Sequence, residues 1–129
     1  MSLKIDYTEE MISGEPGPNL YIFGTRDDFD WLQKEIQMLL NLSVAHLELI
    51  NSERIRFENG IVNRISIRME HENLSRIVVG EPTIIFYLTK EYLLDLEKRC
   101  LGLSQRKVHD YVDWTISGMN FNLIISSEW

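Results

Sequence analysis

The sequence predicts an α+β domain: a single, mainly antiparallel sheet of five to seven strands with two helices packed on one face. Three observations carry this expectation. A strand-helix unit occurs twice, each copy being a short apolar run followed at once by a helical pattern. Between the copies, apolar and polar residues alternate and are broken by turn residues. Each helix has only one apolar stripe, which suits packing on one side of a sheet. The predicted order is β-α-β-β-β-β-β-α-β.

The two copies align when Pro18 is set on Pro82. Leu20 then matches Ile84, Phe23 matches Tyr87, Thr25 matches Thr89, Arg26 matches Lys90, Phe29 matches Leu93 and Leu32 matches Leu96. Dropping about one helical turn from the first copy brings Leu40-Asn41-Leu42-Ser43 onto Leu101-Gly102-Leu103-Ser104.

Taken in order, Leu3 to Tyr7 alternates as a short strand, and residues 1–17 can equally be a loosely attached segment. Gly14-Glu15-Pro16-Gly17-Pro18 is a loop by its content of breakers. Leu20 to Phe23 is the first strand of the repeated unit. Thr25 is placed to cap a helix, with Asp27 and Asp28 in the first turn, where the dipole favours anions. Phe29, Leu32, Ile36, Leu39 and Leu40 recur at helical spacing, and Asn41 suits the helix end.

Val44 to Ile50, Glu53 to Glu58, Ile61 to Glu70 and Leu74 to Val79 alternate as strands. Asn59-Gly60 is a strong hairpin signal, because a type I′ turn needs positive φ at both central residues. It predicts that the strands on either side pair with each other. Ile84 to Leu88 is the second copy's strand. Its helix runs from Lys90 to Leu101, burying Leu93, Leu96 and Cys100, and with them Leu94 and Leu101, and stopping at Gly102. Residues 104–117 are polar and read as loop, and Met119 to Ser126 is a closing strand. Leu32, Ile36, Ile67, Ile85 and Leu96 are expected to share the core.

At 129 residues the chain is expected to form one domain, residues 1–129, large enough to bury a core without metal or disulfide. Its net charge of -7 argues against nucleic acid or an anionic membrane as partner, since both attract positive charge. The lone Cys100 precludes an intrachain disulfide and, on a buried stripe, acts as a small hydrophobe. The first residues have no apolar signal-type run, so a cytoplasmic location is the expectation.

No phosphate loop, dinucleotide fingerprint, nucleophile elbow or metal-ligand spacing is present, so no metal or cofactor is expected. Three groups of residues remain as candidates. Arg54, Arg56, Arg64 and Arg68, with Arg76 near, would share the open sheet face, either free to grip carboxylate or phosphate or paired with interleaved glutamates. Asp27, Asp28 and Asp30 beside Trp31 have the composition of a contact site, an aromatic anchor with a charged rim; alternatively they serve the helix dipole and the core margin. His109, Asp110, Asp113 and Trp114 form a dense loop that could hold a general base, or be an ordinary polar loop.

The functional expectation is a small acidic protein-binding module without catalytic activity. Its partner is another protein, and a homodimer is allowed. An inhibitor or immunity-type protein for a basic partner is one concrete form. The alternative is a small enzyme or ligand binder with its site between the 109–114 loop and the arginine-bearing strands.

Overall fold

The computed structural model describes residues 2–9, 18–58, 60–106, 108–116 and 118–127. Among these the chain forms β1 (Leu3–Thr8), β2 (Asn19–Phe23), α1 (Arg26–Leu40), β3 (His46–Ile50), β4 (Ile55–Phe57), β5 (Arg64–Met69), β6 (Arg76–Gly80), β7 (Thr83–Leu88), α2 (Lys90–Gln105), β8 (His109–Ile116) and β9 (Met119–Ser126). The α+β class holds, but the nine strands make two mixed sheets, ordered β4-β1-β2-β9-β8 and β3-β5-β7-β6.

The helices are the reason for two sheets. α1 takes the chain from β2 in the five-stranded sheet to β3 in the four-stranded one, and α2 takes it from β7 back to β8. Each sheet therefore joins hairpins from both halves of the chain. The joints are parallel pairs, β2 with β9 and β5 with β7, each flanked by antiparallel partners. The hairpin expected around Asn59-Gly60 does not form: β4 pairs in parallel with β1, while β5 lies in the other sheet. Gly60 does take a positive φ of 74°, and Asn59 lies outside the described residues.

The repeat governs register as well as order. The buried stripe of α1, Phe29, Leu32, Ile36 and Leu39, maps onto Leu93, Leu96, Cys100 and Leu103 of α2 without any dropped turn. α2 continues through Gly102 to Gln105, because its stripe needs Leu103 in the core. The ladders match too. Asn19 pairs with Asn122 in one sheet, and the counterpart Thr83 pairs with Arg64 in the other; His109 faces Ser126 as His46 faces Arg68. The two halves are thus related by an approximate two-fold in which each lends its first hairpin to the sheet that holds the other's second.

Local chemistry sets the helix starts. Thr25 and Asp28 form a reciprocal capping box: Asp28 N donates to Thr25 Oγ1 at 3.2 Å, and Thr25 N donates to Asp28 Oδ2 at 2.8 Å. Thr89 caps nothing with its side chain; its backbone N–H donates to Ser75 Oγ at 2.8 Å.

One core receives both helix stripes and the inner faces of both sheets. Phe86 of β7 meets Phe121 of β9 edge to face, with centroids 5.3 Å apart. Leu3, Ile5 and Tyr7 are buried and β1 is held between β2 and β4, so Leu3–Thr8 is firmly part of the sheet. Leu32, Ile36, Ile67 and Leu96 are buried as expected, whereas Ile85 points to the outer face and is only half-buried, since β7 alternates Ile84, Phe86 and Leu88 inwards. The core encloses an apolar void of about 30 Å³ bordered by Leu32, Leu96, Cys100 and Trp114. That is far below the roughly 300–1,000 Å³ a small-molecule site occupies. Among the described residues, no helix is long and apolar enough to cross a membrane.

Candidate functional site

An open cleft runs between the outer side of α2 and the edge strand β8. Helix residues Glu91, Tyr92, Leu94, Asp95 and Lys98 line one wall, and Tyr111, Asp113 and Trp114 line the other. Arg99 ties the walls together. Its Nε donates to Asp95 Oδ2 at 2.9 Å and its Nη1 to Asp110 Oδ1 at 2.9 Å. Burial works to lower the Arg99 pKa, but the two carboxylates outweigh it and leave the guanidinium pKa above its ordinary value. Tyr92 braces the same joint, packing edge to face on Trp114 with centroids 5.5 Å apart.

The apolar parts of this surface are not required by the core. Leu94, in the cleft, is 44% exposed, and Leu101, two turns on and not part of the cleft lining, is 37% exposed, against the expectation that both are buried. The stripe at Leu93, Leu96, Cys100 and Leu103 already fills the core side of the helix. The other copy confirms that the scaffold does not need them: α1 carries Asp30 and Gln37 at the matching positions. Tyr111, on the outer face of β8, is 49% exposed. Glu91, Asp95 and Asp113 line the cleft together with Leu94 and Tyr111. Chemically the cleft offers an apolar centre and an acidic rim, beside a strand that is terminal in its sheet among the described residues.

The residues 109–114 are strand, not loop, because Val112, Trp114 and Ile116 alternate into the core. That alternation divides the expected catalytic group. Asp110 is taken up by Arg99, Trp114 is buried at 5% exposure, and His109 and Asp113 are exposed on the outer face. Among the described residues, no three His, Cys, Asp or Glu side chains converge as metal ligands.

The acidic group on α1 is also divided. Asp28 is buried at 3% exposure inside the capping box, so it is no contact residue. Asp30 pairs with Lys34 at 2.8 Å, and Asp27 is exposed. Trp31 is half-buried, and the Arg54 guanidinium lies 4.9 Å from its ring centroid.

The arginines do not share one face, since β4 and β5 belong to different sheets. Arg54 and Arg56 attend the five-stranded sheet, and Arg64 and Arg68 lie on the outer face of the four-stranded one. The ladder sets Arg68, Tyr87 and Arg76 side by side there, with the Arg76 guanidinium 3.9 Å from the Tyr87 centroid. Arg64 donates to Glu48, and Arg68 Nε donates to Ser66 Oγ at 3.2 Å. Burial tends to raise the Glu48 pKa, but Arg64, Ser66 and His46 outweigh it and hold it below the usual carboxylate value. Cys100 is fully buried and its thiol pKa is pushed well up by that burial, which keeps it unreactive.

Comparisons with protein-family models, with curated proteins and with solved structures give no match to this chain.

Proposed function

We propose that this chain is a protein-binding module whose contact surface is the cleft between α2 and β8, and that its partner is basic. The carrying observation is the exposure of Leu94 in the cleft, at a position where the same scaffold, in its other copy, has Asp30. Exposed apolar groups with a polar rim are the anatomy of a protein interface. Tyr111 adds the rigid aromatic area that interface centres favour. Glu91, Asp95 and Asp113 supply a rim complementary to lysine and arginine, and the chain's net charge of -7 speeds encounter with a cationic partner. An inhibitor or immunity-type role toward a basic enzyme is the concrete form that fits an acidic binder of this size; this form rests on size and charge.

The test is affinity capture of a partner, followed by Leu94→Asp and Tyr111→Ala. Leu94→Asp installs the residue that α1 already carries, so the helix survives and circular dichroism is unchanged. The expected result is at least a tenfold loss of affinity, on the order of 1.4 kcal/mol, for each variant. Unaltered binding in both variants would remove the cleft as the contact surface.

A further inference from the structure

The approximate two-fold makes each half a template for the other, and at one place the halves differ. In the first half, β4 lies against the outer edge of β1, pairing Leu3 with Ile55 and Ile5 with Phe57. Leu3 N donates to Arg54 O at 2.8 Å, and Ile5 O accepts from Glu58 N at 2.9 Å. So the inward-facing residues of β1 direct their main-chain groups out of the sheet, and β4 receives them. The counterpart of β1 is β6: Lys4 faces Phe23 as Arg76 faces Tyr87, which places Ile77 and Val79 where Ile5 and Tyr7 stand. In the second half the stretch that might have covered β6 is instead the end of the β8–β9 hairpin. It pairs with itself, Trp114 with Phe121 and Thr115 with Asn120, and leans on α2 through Tyr92. Among the described residues, β6 has β7 as its one strand partner.

Exposed edges are normally guarded by charge, proline, bulges or shortness. The other edges of the two sheets follow this rule. β8 carries His109, Asp110 and Asp113, β3 carries His46 and Glu48, and β4 is three residues long with Arg56 at its centre. β6, Arg-Ile-Val-Val-Gly, has only Arg76, whose guanidinium is drawn back over Tyr87. Val78 is 45% exposed beside this edge, and nothing lies within 4 Å of where a side chain on Gly80 would begin.

We propose that β6 is a self-pairing edge through which two copies of this chain join, antiparallel, into one continuous sheet. The register that pairs all five residues of β6 is centred on Val78. It sets Val78 against Val78 of the partner subunit, Ile77 against Val79 of the partner subunit, and Arg76 against Gly80 of the partner subunit. Ile77 and Val79, whose main-chain groups point outwards, then form the hydrogen-bonded pairs. No like charges meet, because each arginine faces a glycine. The Val78 pair is a non-hydrogen-bonded site, where antiparallel Cα atoms approach to about 4.5 Å. A two-fold contact of this kind is closed, so association stops at the dimer. This inference concerns a different strand and sheet from the proposed partner cleft, and the two stand or fall separately.

The experiment uses the full chain. Sedimentation across a concentration series should show a monomer–dimer equilibrium, and Val78→Lys should weaken it about tenfold or more by placing two ammonium groups face to face. Val78→Cys is nearly isosteric and brings two thiols within disulfide range across the two-fold. Under mild oxidation it should give a covalent dimer, while Ile50→Cys, on the guarded edge β3 and 50% exposed, should not. The native Cys100 is buried and stays out of the reaction. A wild-type chain that remains monomeric at every concentration overturns the proposal. So does a dimer indifferent to Val78→Lys, or cross-linking no faster through residue 78 than through residue 50.

Discussion

Glu97 accepts a hydrogen bond from Gln33 at 2.7 Å although the two residues, 64 apart in sequence, occupy the same place in the two halves of the chain. They meet because the helices pack side by side about the approximate two-fold, and the repeat offers a carboxylate on one side and an amide on the other. Two glutamates here would repel, and two glutamines would lose a charge-assisted bond.

Gln33 is 5% exposed, so its amide depends on that partner. Glu97→Ala should cost about 1–3 kcal/mol in urea unfolding, because a buried donor is left without an acceptor. Gln37 also donates to Glu97, at 3.1 Å, but from an exposed position. Gln37→Ala should therefore stay within about 0.5 kcal/mol of wild type.

Leu32 and Leu96 are equivalent core residues, 3% and 6% exposed, bordering the same internal void. Each alanine substitution should cost about 2–5 kcal/mol, and the two costs should be similar. A loss below about 1 kcal/mol at either position would mean that its helix does not face the core as described.

The two helix starts should respond differently to the same change. Thr25→Ala breaks a capping box and should cost about 0.5–2 kcal/mol. Thr89 makes no side-chain cap, and its N–H donates to Ser75 Oγ by way of the main chain. Thr89→Ala should cost less than Thr25→Ala, measured by chemical unfolding in the same buffer.

Glu48 gives the stability a pH dependence. Its folded pKa lies below the unfolded value, so its contribution is present above the unfolded carboxylate pKa, about 4.3, and fades as pH falls through the folded pKa. The stability gap between wild type and Glu48→Gln should be full near neutrality and close on acidification. A gap that widens as pH falls would reverse the sign and remove Arg64 as the stabilising partner.

Much of the fold was legible because it is local. The Thr25 cap, apolar stripes and strand alternation all act over a few residues, and the matched copies tie them together. The division into two sheets was not legible. It rests on the parallel pairs β2–β9 and β5–β7, whose partners are distant in sequence and leave no turn between them. β8 was obscured by Asp110, a charge in the inward row that reads as loop until Arg99 is seen to receive it. Asp28 reads as a surface acid until the capping box buries it. The cleft had a signal that comparison of the copies exposes: Leu94 stands where α1 has Asp30, so it is surplus to the core.

The central claim, that the α2–β8 cleft is the contact surface, is tested most directly by amide hydrogen exchange on the full chain, alone and with its captured partner. Bound partner should slow exchange in residues 91–101 and 109–116 and leave the Arg64, Arg68 and Arg76 face unchanged. Protection confined to that arginine face, or to residues 26–40, would contradict it.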